Sequence, residues 1–171
     1  MLIVSDGEAI VGVWFYGQRH FQSTVDDEII QKDDLAIFKN VTKFFDDYFS
    51  GLNPKIDFRL KPEGSKFRLK VWKILSEIPY GETITYGEIA SEISPTMSAQ
   101  AVGGAVGHNP ISILIPCHRV VGSNGKLTGY AAGIDKKREL IKLEKNERYV
   151  WYLSSIKCRV LKICSFRQHI C

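Results

Sequence analysis

Residues 85–107 hold the stretch that decides the architecture: Thr85-Tyr86-Gly87-Glu88-Ile89-Ala90-Ser91-Glu92-Ile93, the turn Ser94-Pro95, then Ser98-Ala99-Gln100-Ala101-Val102-Gly103-Gly104-Ala105-Val106-Gly107. Thr85 with Glu88 three residues on can satisfy the first free amides of a helix reciprocally, so a short amphipathic helix is predicted from Tyr86. Ser94-Pro95 ends it, and a second short helix follows. Two short helices about a tight turn form a helix-turn-helix pattern. The second helix is peculiar, because Ala99, Ala101, Gly103 and Gly104 cost helix stability without filling a core. Close helix packing would explain any one glycine. The whole group fits better a surface that another backbone approaches closely, and the narrow minor groove of DNA demands such a surface.

Working upstream, Phe67, Val71, Trp72, Leu75 and Ile78 make the apolar stripe of a helix that begins near Ser65 and stops at Pro79 and Gly81. Residues 52–65 carry Pro54, Pro62 and Gly64 around Ile56-Asp57-Phe58, which reads as a loop or short strand and a domain boundary. Before it, Leu35, Phe38, Val41, Phe45 and Tyr48 or Phe49 fall on one helical face, behind an acidic start at Asp33-Asp34 and ahead of Gly51. The first residues alternate as strands, Leu2-Ile3-Val4 and Ile10 to Tyr16, about an Asp6-Gly7 hairpin signal.

Charge does not supply the DNA argument. The chain of 171 residues has 23 basic and 19 acidic side chains, a net charge of +4. Residues 157–171 carry Lys157, Arg159, Lys162 and Arg167 and no acid, so the rest of the chain is balanced. Binding must therefore come from local shape and placement. No apolar stretch is long enough to cross a bilayer and no secretory leader precedes the first strand, so a cytoplasmic protein with no membrane partner is expected. Of the four cysteines, Cys158, Cys164 and Cys171 lie in the tail, and their spacing with His169 matches no tight metal-ligand pair. Free thiols are expected there, with no metal and no cofactor.

Cys117 stands apart, at the end of the apolar run Ile111-Ser112-Ile113-Leu114-Ile115 and within Pro116-Cys117-His118-Arg119-Val120-Val121-Gly122. A lone buried cysteine is more often inert than reactive. Here Pro116 fixes the backbone before it and His118 follows at once. A thiolate is the nucleophile, so some partner must take the thiol proton. In an extended segment Cys117 and His118 would face opposite ways; either the backbone turns sharply or the proton travels through a water. His118 needs a carboxylate to hold its tautomer, and Glu144 after a helix over residues 135–143 is available. A cysteine protease is the competing reading, but its histidine normally lies far away in the chain.

The run from Ile115 to Val121, with Ala101-Val102-Gly103-Gly104-Ala105 and Gly107-His108-Asn109-Pro110 before it and Thr128-Gly129-Tyr130 after it, resembles the methylated-DNA–protein-cysteine methyltransferases. The likeness is close from about residue 65 to residue 144 and looser before that. It implies an α+β fold. A small strand-and-helix, ribonuclease H-like domain would occupy residues 1–62, and a mostly helical winged helix-turn-helix domain, DNA-binding and catalytic, residues 63–149. An atypical basic, cysteine-containing tail would follow over 150–171. The implied reaction is single-turnover repair: a monomer binds double-stranded DNA in the minor groove, flips out an O6-alkylguanine and moves the alkyl group, from guanine or perhaps O4-alkylthymine, to Cys117 for good.

By the same resemblance His118 bridges through water to Cys117 and pairs with Glu144, Asn109 braces the turn, and Tyr86 serves N3 of the guanine. The carbonyls of Cys117 and Val120 read the exocyclic amine, and Tyr130 and Ala131 wall the pocket. Ala99, Gln100, Ala101, Gly103 and Arg119 are the expected DNA contacts. Each of these residues also has an ordinary reading, Tyr86 as a cap neighbour and Asn109 as a turn former; their order and spacing favour the functional one. Two other functions stay in view: a non-catalytic adaptor that binds alkylguanine, which would lack the nucleophile, and a winged-helix regulator sensing through its thiol, which would need an effector domain.

The chain departs from the family at several points. Gln100 stands where many relatives have arginine, which implies weaker DNA affinity. Ala132 replaces a frequent glycine and is expected to narrow the pocket. The family usually has another strand before the first hairpin, so an unpaired sheet edge is expected. The tail reads as a DNA tether, an added helix or, by slight preference, sequence without a role.

Overall fold

The computed structural model describes residues 1–25, 29–32, 34–146 and 161–165. Strands β1 (Leu2–Ser5) and β2 (Ile10–Trp14) pair antiparallel as the alternation predicts. Asp6 closes the turn: its Oδ1 accepts the amides of Glu8 and Ala9 at 3.0 and 2.8 Å, while Gly7 takes a φ of +99° that a side chain would resist. Two further strands, β3 (Ile29–Gln31) and β6 (Leu161–Ser165), complete a four-stranded sheet in the order β2-β1-β6-β3. β6 runs parallel to β1, pairing Leu2 with Leu161, and antiparallel to β3.

This corrects two expectations. β1 was expected to present a bare edge, yet it has a strand on each side; the tail, read as sequence without a role, supplies one of them. The reason is that this pairing joins the two ends of the chain, and no local pattern announces a partner so distant in sequence. Cys158, Cys171 and His169 lie outside the described residues.

Helix α1 (Ala36–Phe49) buries Phe38, Val41, Phe44, Phe45 and Tyr48, the expected stripe. Gly51, at φ +84°, takes the left-handed turn past its end and donates to Tyr48 O at 2.9 Å. Residues 52–65 form no strand at Ile56-Asp57-Phe58; instead Leu60 bridges Ile10, with Ile10 N–H donating to Arg59 O and Lys61 N–H to Ile10 O, both at 2.9 Å. Helix α2 (Lys66–Glu77) is capped by Ser65 and buries Trp72, whose indole N–H donates to Ala105 O at 2.9 Å. Helices α3 (Tyr86–Ile93) and α4 (Ala99–Gly107) are the predicted pair, α3 with the full Thr85–Glu88 capping box and α4 capped by Ser98. The two-residue strands β4 (Ile84–Thr85) and β5 (Val120–Val121) pair parallel, and α5 (Ile134–Glu144) closes the described body.

One apolar core runs through both halves of the chain, from Ile3, Val13, Phe38 and Phe45 to Trp72, Ile89, Ile111 and Leu140. Burial of each such side chain favours folding by roughly 1.5–3 kcal/mol before entropy is counted. β2 also bonds directly to the segment that leads to Cys117: Val13 N–H donates to Pro110 O at 2.8 Å, and Ser112 N–H to Val13 O at 2.9 Å. The N-terminal sheet thus holds the loop on which the nucleophile depends. None of the described helices is long and apolar enough to cross a membrane.

Candidate active site

The chain reaches Cys117 through two tight turns. Ile113 has φ +72°, costly for a β-branched residue, and Leu114 N–H closes a three-residue turn over it on Ser112 O at 2.9 Å. Pro116 (φ −81°, ψ 62°) makes the commoner turn of opposite hand, with Cys117 N–H on Ile115 O at 2.8 Å. Cys117, His118 and Arg119 then form one turn of 3₁₀ helix. Of the two ways open to His118, the backbone takes the sharp turn, so the two side chains are not forced to opposite faces of a strand.

Asn109 holds this arrangement. Its side-chain amide donates to Ile115 O at 2.8 Å and to Cys117 Sγ at 3.0 Å, and its Oδ1 accepts Ile111 N–H at 3.0 Å. Burial pushes the Cys117 thiol up from its ordinary pKa, against the opposing pull of the Asn109 donor and the Lys137 charge. The resting group is therefore a thiol that ionises at a cost.

His118 is wholly buried, and its Nε2 lies 2.7 Å from Glu144 Oε1. The carboxylate fixes the Nε2–H tautomer. Nδ1, left as an acceptor, is buried and has no hydrogen-bond partner among the described residues. Glu144 collects donors from four elements: His118 Nε2, the hydroxyl of Tyr48 on α1 at 2.7 Å, Arg119 through Nε (2.8 Å) and Nη2 (3.0 Å), and the amide of Gly81 at 3.2 Å. Burial alone would raise its pKa; the bonds and charges of His118 and Arg119 outweigh that and hold it well below the ordinary carboxylate value. Burial also pushes His118 down, against the pull of Glu144, so the imidazole rests neutral.

Cys117 opens onto a cleft of about 760 Å³ between α4 and the 128–131 segment. Tyr86, Ala99, Gln100, Gly103, Asn109, Tyr130 and Ala131 line it, as expected of them; Arg19 and His20 enter from the N-terminal half. Their loop is tied down, with Arg19 N–H donating to Ala131 O at 2.9 Å and the His20 ring stacked on His108 at 3.9 Å between centroids. Tyr86 begins α3; burial raises its pKa, and its hydroxyl reaches Gly129 O at 3.5 Å. Val120 is buried in β5 rather than on the cleft wall, and Ala101 is exposed on α4 outside the lining.

Two expectations change. Arg119 does not join the α4 surface; its guanidinium is bound to Glu144 and to Ile78 O at 2.6 Å and lies 5.7 Å over the Tyr80 ring. The 3₁₀ turn points it inward, where a buried carboxylate outcompetes solvent. Ala132 does not narrow the cleft, since Ala131 lines it while Ala132 packs on the core.

Sequence reasoning missed Lys137 and Tyr48. Lys137 is fully buried on α5, donates to Thr128 O at 2.8 Å and Gly129 O at 3.4 Å, and sits 5.7 Å over the Tyr86 ring. Burial drives its pKa down to about 8, against the pull of Cys117. A signal was present: Lys137, Leu140 and Glu144 share the buried face of α5, so its inward stripe carries two charges. Nothing marked Tyr48 beyond a place in an apolar stripe.

Residues 66–146 match the 6-O-methylguanine DNA methyltransferase DNA-binding domain. The methylated-DNA–protein-cysteine methyltransferase of Methanosarcina acetivorans is 44% identical over 145 residues, covering 84% of this chain and 90% of the relative. That of Haemophilus influenzae is 43% identical over 146 residues, covering 85% and 80%. Among solved structures, the Mycobacterium tuberculosis OGT in complex with DNA superposes with a TM-score of 0.72 at 39% identity, covering 85% of this chain and 86% of that one. The O6-methylguanine DNA methyltransferase of Methanococcus jannaschii gives 0.56 at 28%, covering 86% and 95%. The chain belongs to the methylated-DNA–protein-cysteine methyltransferase family.

Proposed function

We propose that this protein repairs DNA by taking the alkyl group of O6-alkylguanine onto Cys117 in one irreversible step. The observation that carries the reading is the position of Sγ: it lies at the cleft, held by Asn109, beside a buried histidine–carboxylate pair. The thiol proton passes through a water to His118 Nδ1, and Glu144 stabilises the resulting imidazolium. The thiolate attacks the alkyl carbon, the carbon–sulfur bond forms as the carbon–O6 bond breaks, and guanine leaves with its electrons. Tyr86 donates at N3 so that the base departs neutral. No group in the site can displace the thioether, so each molecule acts once.

The small residues of α4 support minor-groove binding with the damaged base rotated into the cleft. A Cβ built on Gly104 or Gly107 meets nothing within 4 Å, so that side of α4 is open to an approaching backbone. In this reading residues 63–149 form a winged helix-turn-helix domain with β4 and β5 at its side, behind a ribonuclease H-like N-terminal domain, and the protein works as a cytoplasmic monomer.

Intact mass after incubation with duplex DNA containing O6-methylguanine tests the reaction. One methyl group on Cys117, absent in Cys117→Ser, is expected; an unchanged wild-type mass would refute it. Gln100, exposed at the start of α4, brings no charge to the duplex. Gln100→Arg is expected to tighten duplex binding about fivefold at low salt and to steepen its salt dependence, as one added phosphate contact does. Identical salt titrations would remove Gln100 from the interface.

A further inference from the structure

The α1 hydroxyl that reaches the buried pair is too close to be a bystander. Tyr48 is 2% exposed, and its ring is fixed by Phe44 (stacked, 6.1 Å), Phe49 (edge-on, 5.4 Å) and Tyr80 (edge-on, 6.1 Å). Its hydroxyl donates to the same Glu144 oxygen that His118 uses, at the same 2.7 Å, and lies 3.4 Å from His118 Nε2. Arg119 Nη2 is the third donor on that oxygen, at 3.0 Å. A carboxylate oxygen has about two lone-pair directions, so three donors compete for it. Charge drawn toward Tyr48 is charge withheld from the imidazolium.

We propose that Tyr48 is a positioning residue of the alkyl-transfer site, through which the N-terminal half of the chain orients Glu144 and holds His118 weakly basic. The inference rests on the reaction proposed above. The charged and titratable groups facing His118 are Glu144 and Lys137 from α5, Arg119 and Cys117 from its own turn, and Tyr48 from α1; Tyr80 stands behind Arg119. Of these, Tyr48 alone can lose its polar atom without changing a formal charge or the shape of the core. Without it, Glu144 Oε1 turns more fully to His118, the imidazolium is favoured, and the neutral acceptor is lost at higher pH.

The test is Tyr48→Phe in the full chain, with two readouts. The acid limb of the methyl-uptake rate is expected to move up by about half a pH unit, and the rate near pH 6 to fall about threefold relative to wild type. The His118 ring resonances, titrated without DNA, should show the same upward displacement. Incorporation of 3-fluorotyrosine at position 48, a stronger donor, should move both midpoints down, and it decides the matter if Tyr48→Phe folds poorly. Unmoved midpoints in either folded protein, whatever the change in thermal stability, would reduce Tyr48 to packing. The ring titration needs no repair activity: a wild type that takes up no methyl group refutes the proposed reaction, whereas an unmoved His118 in a substituted protein refutes the role of Tyr48.

Discussion

Lys137→Met is expected to slow methyl uptake by Cys117 about 100-fold, the size of effect that follows loss of one preorganised charge from a buried site. The thiol must ionise in surroundings that oppose ionisation, and Lys137 is the cation whose charge favours the thiolate. Its own proton is held loosely, with a pKa of about 8, because burial penalises the ammonium and only Cys117 pulls the other way. The pair is coupled, so the pH dependence of Cys117 modification by a small electrophile should shift upward by about one unit in the variant. Lys137 also grips the carbonyls of Thr128 and Gly129 in the segment leading to the cleft wall. Lys137→Gln separates the two roles, since it keeps a donor and drops the charge. A wild-type rate in Lys137→Gln would show that bracing alone matters.

Glu144→Gln is expected to lower the unfolding free energy by about 3–5 kcal/mol at neutral pH, the cost of removing one partner from a buried ionic cluster. Arg119 would keep a half-buried guanidinium with Ile78 O alone, and His118 would lose the acceptor that fixes its tautomer. The pH dependence provides a second check. The Glu144 carboxyl titrates below its ordinary 4.5 in the folded state. Its stabilisation is therefore complete above that value and drains away as the pH falls through the lower folded one. The gap in denaturant midpoint between wild type and variant should narrow as the solution is taken below about pH 4.5. A gap of constant width would mean that the cluster contributes shape rather than charge.

What the sequence disclosed and what it withheld divide along a physical line. The Asp6 turn and the Thr85–Glu88 cap were legible because each is built by residues three apart, whose chemistry does not depend on the rest of the fold. Cys117, His118, Asn109 and Glu144 were legible through a motif of fixed spacing, although the geometry joining them was not: a 3₁₀ turn and a strained Ile113 decide how His118 faces, and neither has a sequence signature. Arg119 was misplaced because an arginine in a basic motif points to a phosphate or to a carboxylate with equal ease, and only the fold brings Glu144 beside it. Lys137 could have been found by asking why a lysine and a glutamate share an inward stripe. Tyr48 could not, since a tyrosine in an aromatic helix face gives no sign of what its hydroxyl will meet.

The parallel pairing of β1 with β6 has a consequence for how the molecule comes to exist. The first strand made by the ribosome waits, with one edge bare, until residues 161–165 have left the exit tunnel, because no earlier segment occupies that place. Helices α2 to α5, whose contacts are mostly local, can form in the meantime. Since β2 holds the loop before Cys117, the order of synthesis makes the last strand a late clamp on the nucleophile's support, and a nascent chain would gain its final rigidity only at release.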